Sequence, residues 1–170
     1  MTTVAVLAAG APADGVVDGL AALLVDSVQD GASVGFLSPL GEEEARRWWA
    51  DALADSSAVT LLARQGGTVV GCVRVHPAPQ ANGRHRAEIA KLLVHSGARG
   101  RGLARALLAA AEEEARALGR SVLVLDTETG SSAERVYEHL GWHRVGVVED
   151  YAAGADGRLM PTTIFTKRLE

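Results

Sequence analysis

Residues 94–108, VHSGARGRGLARALL, carry an Arg-Gly-Arg-Gly run that leads straight into an apolar, periodic stretch. Leu103, Leu107, Leu108, Ala111, Ala115 and Leu118 recur at helical spacing, which predicts a helix from about Leu103 to Leu118 that stops at Gly119. The preceding RAEIAKLLV, residues 86–94, reads as a central strand. A strand, a glycine-rich turn and a long helix in succession make a natural seat for an anion. The first turn of a helix has backbone N–H groups without partners and a partial positive charge. Gly100 and Gly102 have no side chains to cover those amides, while Arg99 and Arg101 add forked donors suited to phosphate. The Walker pattern requires Gly-Lys-Ser/Thr where Leu103-Ala104 follow here, and the dinucleotide pattern G-x-G-x-x-G fails at Arg105. What the stretch predicts is a pyrophosphate cradle made from backbone, Arg99 to Ala104, outside both of those nucleotide patterns.

The rest of the chain supplies the elements around this turn. Residues 3–7 read as an edge strand, and helices are expected over about Asp14–Gln29 and Glu42–Ala54, separated by the breakers of DGASVGFLSPL, residues 30–40. AVTLLARQGGTVVGCVRVHP, residues 58–77, reads as a hairpin turning at Gly66-Gly67. SVLVLD (121–126) is a buried strand and SSAERVYEHL (131–140) a short helix with Ser131 or Ser132 as its N-cap. HRVGVVEDY (143–151) and TTIFTKRL (162–169) close the chain as two strands around a turn at AGADGR. The order is strand, two helices, three strands, helix, strand, helix, two strands, which predicts one mixed α/β domain over residues 1–170.

Composition narrows the function classes. A chain of 170 residues with 48% hydrophobic content can bury a core of its own. The lone Cys72 forms no internal disulfide, which fits a reducing cytoplasm. No apolar run reaches the length of a membrane span, and the apolar start lacks the positive region of a secretion signal, the first Lys or Arg being Arg46. A net charge of −4 argues against nucleic acid as a partner. The charge is unevenly spread, however. Arg84, Arg86, Lys91, Arg99, Arg101 and Arg105 face only Glu88 over residues 84–105, so a local anionic ligand is expected there. The acidic stretch over residues 14–44 is either an attractor for a cationic substrate or a solvated face. His76, His85, His95, His139 and His143 show no ligand spacing, and no metal is expected.

Arg99-x-x-Gly102-x-Ala104 matches the (Gln/Arg)-x-x-Gly-x-(Gly/Ala) signature of the GCN5-related N-acetyltransferases, and the element order resembles that fold along the whole chain. The resemblance implies a GNAT fold: a single mixed sheet of about seven strands, splayed between the fourth and fifth, flanked by about four helices. It implies acetyl-CoA as acetyl donor, its pyrophosphate on Arg99, Gly100, Arg101, Gly102, Leu103 and Ala104, and its pantetheine arm along Leu92, Leu93 and Val94. Ser132 stands where many relatives have an asparagine and is expected beside the cofactor. DGASVGFL, NGRHRAEIAKLLV, LVLDTETGSSAERVYEHLGW and YAAGADGRLMPTTIFTKRL further resemble the tabtoxin-resistance type of acetyltransferase.

Acetyl transfer to an amine requires a base for the ammonium proton and an acid for the departing thiolate. The resemblance places Tyr137 as that acid, next to the cofactor, and gives Glu88 a base-like role. Glu88 could alternatively pair with Arg84, Arg86 or Lys91. Asp126 ends a strand on the edge where α/β ligands gather, and either binds the amine, replaces Glu88 as base, or caps the turn that follows. Phe36 and Tyr151 are expected on the substrate side. Trp48 and Trp49 are adjacent on one helix, so at most one faces the core. The expected function is N-acetylation of a primary amine on a small molecule such as an amino-acid-like toxin or antibiotic. The alternatives are an acyl-CoA sensor without turnover and a protein-directed acetyltransferase. Closing strands such as TTIFTKRL often sit at dimer edges in this superfamily, so a homodimer through that strand is a further expectation.

Overall fold

A computed structural model describes residues 2–7 and 15–170. Strand β1 (Thr2–Leu7) is followed by helices α1 (Val16–Gln29) and α2 (Glu42–Ala54). Strands β2 (Val59–Gln65), β3 (Thr68–Pro77) and β4 (Arg86–Val94) come next, then α3 (Leu103–Ala117), β5 (Val122–Glu128), α4 (Ser132–His139), β6 (His143–Ala153) and β7 (Leu159–Arg168). This is the order expected from the sequence. Asp14, the expected start of the first helix, lies outside the described residues.

The strands form one seven-stranded sheet in the order β1-β2-β3-β4-β5-β7-β6. All neighbours are antiparallel except β4 and β5. That parallel pair is short: Arg86, Ala87 and Glu88 face Val122, Leu123 and Val124, after which the two strands part. The splay expected between the fourth and fifth strands is therefore present, and it begins at Glu88. β7, which holds TTIFTKRL, lies between β5 and β6 and so is an interior strand of this sheet. The edge belongs to β6, where Val145, Val147, Val148 and Tyr151 are exposed.

Strand alternation sorts the core into two layers. Leu61, Val73, Val75, Ala87, Ile89, Leu123 and Leu125 point to one face and pack with Leu107, Leu108 and Ala111 of α3 and Tyr137 of α4. Leu62, Cys72 and Leu93 point to the other, against Leu20 and Leu24 of α1 and Ala45 and Trp49 of α2. Trp49 is fully buried, whereas Trp48 is half-buried. Helix phase decides between them: Trp49 stands one turn from buried Ala45.

α4 has only eight residues and depends on its N-terminus for anchorage. Ser131 is the N-cap, its Oγ accepting from Glu134 N at 3.1 Å. Glu134 accepts in turn from Gly130 N at 2.5 Å and from Thr163 Oγ1 of β7 at 2.7 Å. These bonds hold the Glu134 carboxyl below the ordinary range. They also fix the helix that carries Tyr137.

Candidate active site

The opening between β4 and β5 gathers the chemistry. On β4 the ladder to β3 passes from Cys72↔Leu93 to Arg74↔Ala90, so the strand bulges, and Lys91 adopts a left-handed backbone with φ 51°. Past Glu88 the β5-facing edge of β4 is therefore free of strand partners, and Leu92, Leu93 and Val94 run along it toward the glycine-rich turn.

At that turn Gly100 and Gly102 have φ of 73° and 77°, and a Cβ on either would project into open space. The amides from Gly100 to Arg105 have no backbone acceptor among the described residues, and the first closed turn is Ala106 N donating to Gly102 O at 3.0 Å. A row of unpaired amides facing open space, with exposed Arg101 and Arg105 beside it, fits a pyrophosphate in donor type and in room. Leu103 contributes through its backbone, since its side chain is buried, and Ala104 is half-buried.

Arg99 serves the loop differently from the sequence expectation. Its Nε donates to Val94 O at 3.1 Å, and its guanidinium pairs with Asp30 at the end of α1. Asp26, one turn earlier on α1, accepts from Ser96 N at 2.8 Å and from Ser96 Oγ at 2.7 Å. Burial pulls the Asp26 carboxyl upward, but the Ser96 bonds together with His95 and Arg99 outweigh it and hold it below its ordinary value. Asp26 of α1 and Asp30 just past its end thus tether the loop between β4 and α3. A third, Asp18, pairs with Arg46 at 2.7 Å. Most of the acidic charge on α1 is engaged with its own chain.

Glu88, at the point of the splay, makes no ion pair among the described residues, so the alternative pairing with Arg84, Arg86 or Lys91 is not formed. Partial burial raises its carboxyl above the ordinary range, and Asp126 raises it further against the opposing pull of Lys91. Asp126 lies on the same sheet face of β5, two positions beyond Val124, the register partner of Glu88. Its carboxyl is also raised by burial, with Lys91 opposing. The strand does not end at Asp126 but continues to Glu128 against β7. Tyr137 comes from the opposite face, its ring 5.8 Å from both Trp142 and Phe165. Burial and the charge of Asp126 push its phenol upward, so the hydroxyl keeps its proton.

Glu88 also lines a cavity of about 210 Å³ with Trp48, Arg74, His76, Ala90 and Lys91. Phe36 reaches it indirectly, stacked edge-on against Trp48 at 5.5 Å. Tyr151 stands apart, 52% exposed on the edge strand and not among the cavity's lining residues. Ser132 is exposed at the first residue of α4, free of the cap that Ser131 provides. Sequence reasoning missed Arg74 and His76 as site residues because they alternate with buried valines in an ordinary strand pattern. Cys72 is core, as expected: it is buried, its thiol is pushed up to about 12, and Sγ donates to Lys91 O at 3.4 Å. Among the described residues no helix is long and apolar enough to cross a membrane, and no group of three or more His, Cys, Asp or Glu residues could hold a metal ion.

Comparison with known proteins adds an independent line. The acetyltransferase (GNAT) family profile matches residues 24–142. Over 103 residues the chain is 36% identical to an uncharacterised N-acetyltransferase of the hisH–hisA intergenic region of Azospirillum brasilense; the match takes in 59% of this chain and 61% of that protein. The chain thus spans about three fifths of that relative's length. The crystal structure of ribosomal-protein-alanine N-acetyltransferase from Brucella melitensis superposes with a TM-score of 0.79 at 26% identity, over 98% of this chain and 99% of that one. The yncA protein of Salmonella typhimurium, solved with its cofactor acetyl-CoA, superposes with a TM-score of 0.78 at 20% identity, over 99% of this chain and 94% of that one.

Proposed function

The chain belongs to the GNAT family of acetyltransferases, and from that premise we propose that it moves an acetyl group from acetyl-CoA to a primary amine of a small molecule. The observation that carries this reading is the arrest of β4–β5 pairing at Glu88. It leaves an opening with unpaired amides at its far end and Glu88 where it begins, with Asp126 on the same face of the sheet and Tyr137, near enough to feel the charge of Asp126, on the other. Bound acetyl-CoA supplies the thioester whose acetyl group is transferred. The Gly100–Arg105 amides and Arg101 hold the pyrophosphate, and the free edge of β4 from Leu92 to Val94 pairs with the pantetheine amides in the manner of an added strand.

Glu88 takes the proton from the acceptor's ammonium, directly or through a water, and leaves the nitrogen lone pair free to attack. Asp126 makes that carboxylate a stronger base by adding negative charge beside it. The Tyr137 hydroxyl, kept protonated by burial, would donate to the departing sulfur and regain a proton, directly or through water, from the nitrogen that has attacked. Ser132, exposed at the start of α4, would bond the cofactor where relatives use an asparagine. Phe36 and Trp48 wall the acceptor side. The tabtoxin-resistance likeness of residues 30–37, 82–94, 123–142 and 151–169 supports an amino-acid-like acceptor and extends the substrate side to Tyr151.

Calorimetric titration with acetyl-CoA, followed by thiol release across primary amines, tests the proposal. Binding with release on one class of small amine is the expected result. Binding with release only on peptide N-termini would move the chain to protein acetylation, the activity for which the Brucella protein is named. Binding without release from any acceptor would make it a sensor.

A further inference from the structure

The cavity beside Glu88 holds more positive charge than the chemistry of amine deprotonation requires. Arg74 is 4% exposed, yet it meets no carboxylate within ion-pair distance among the described residues. Its Nε donates to Thr60 Oγ1 at 3.2 Å and one terminal nitrogen donates to Ala52 O at 2.6 Å. Among the described residues the other terminal nitrogen has no hydrogen-bond partner, it is not sealed in the core, and the residue lines the cavity. Lys91 faces the same space, its Nζ 5.2 Å from the centre of the Trp48 ring and without an ion pair among the described residues. A buried guanidinium costs solvation free energy that its two neutral acceptors only partly recover. A ligand that brings an anion into the cavity would complete the compensation.

We propose that Lys91 and the free edge of Arg74 form an anion subsite, opposite Glu88 in the same cavity, which selects acceptors that carry an acidic group close to the reacting amine. This rests on the acetyl-transfer reading and adds a determinant of acceptor choice. The β4 bulge gives the subsite its geometry. The left-handed backbone of Lys91 departs from strand alternation and lets its side chain share the cavity with Glu88 and Ala90. Trp48 holds the ammonium in place by cation–π attraction. The arrangement also has a charge logic. A simple alkylammonium would enter between two fixed cations, whereas a zwitterion sets its carboxylate on Lys91 and Arg74 and its ammonium on Glu88. At about 210 Å³, the cavity has room for the amine, the acid group and the carbon between them. Longer side chains would extend beyond it.

The test uses matched acceptors, α-amino acids and their carboxamides, compared at a pH where both amines are protonated, so that the main difference is the negative charge. Two readouts are needed: acceptor binding by calorimetry without acetyl-CoA, and kcat/KM by thiol release. The wild-type protein is expected to bind the amino acid at least about tenfold more tightly than its carboxamide, the effect of one charge-assisted hydrogen bond. Lys91→Gln should lose most of that ratio and Lys91→Arg should restore it. Both variants keep a long side chain, and Arg74 stays untouched, so the ratio reads charge and not folding. Equal binding of the two acceptors by wild type, or an unchanged ratio in Lys91→Gln, would overturn the subsite. Preferential binding of the amino acid with no thiol release from any amine would keep the subsite and reject acetyl transfer.

Discussion

At the scale of single residues, burial sets the state of the three acids of the candidate site. Glu88 and Asp126 are both held above the ordinary carboxylate range, chiefly by burial, and Tyr137 is kept protonated by the same cause. In the proposed reaction Glu88 acts when deprotonated, so kcat/KM should rise with pH through a limb displaced upward from an ordinary glutamate. Glu88→Gln is expected to remove that limb and lower turnover by about 10²–10⁴-fold, the usual contribution of a general base. The stability consequence has the opposite sign. A carboxyl whose folded pKa is raised favours the native state below its unfolded pKa and loses that advantage as pH rises through the folded value. Above the folded value the ionised Glu88 is therefore a liability, and thermal melts at such pH should show Glu88→Gln at least as stable as wild type. Tyr137→Phe keeps the ring that packs on Trp142 and Phe165. It should leave acetyl-CoA affinity near wild type in calorimetry while thiol release falls by at least about 10²-fold. Equal losses in binding and turnover would place the tyrosine in the core alone.

At the scale of elements, the loop between β4 and α3 depends on α1. Asp26 holds Ser96 by two bonds and Asp30 holds Arg99, so Asp26→Asn should loosen the turn before α3. Because the folded Asp26 carboxyl is depressed, its stabilisation is present above the unfolded pKa and disappears as pH falls through the folded value. Chemical denaturation should accordingly show the variant less stable than wild type at neutral pH, with the gap closing in strong acid. Gly102 needs its left-handed φ of 77°, which a β-branched side chain adopts only under strain. Gly102→Val should weaken acetyl-CoA binding at least about tenfold and cost about 1 kcal/mol or more of stability. Near-wild-type affinity would remove the glycine from the cradle. Much of this was legible in the sequence. The apolar stripe from Leu103 to Leu118, the glycines before it and the strand 86–94 locate the loop without any tertiary information. The tethers were not legible, because Asp26 and Ser96 lie 70 residues apart and nothing local pairs them. The place of β7 was hidden for the same reason: strand order is set by pairing between distant segments, and a β-rich closing strand reads alike at an edge or in the interior. Lys91 read as a neighbouring charge because a bulge that redirects one side chain leaves no mark in the apolar pattern.

For the whole molecule, the sheet separates two tasks. The α3 and α4 face carries the glycine-rich turn proposed to hold the donor's phosphates and Tyr137, the α1 and α2 face carries Trp48 and the cavity with Arg74, and β4 and β5 part after Glu88. A ligand bridging that break should stabilise the fold as a unit. At a hundred times its dissociation constant, acetyl-CoA is expected to add about 2.7 kcal/mol to the free energy of unfolding, which lifts Tm by roughly 5–11 °C for a chain of this size. The measurement that tests the central claim most directly is residue-resolved amide hydrogen exchange with and without acetyl-CoA. Donor binding in the β4–β5 opening predicts new protection at the Gly100–Arg105 amides and along Leu92–Val94, with little change on the β6 edge. Unchanged exchange at Gly100–Arg105 under saturating acetyl-CoA, or protection confined to another surface, would contradict it.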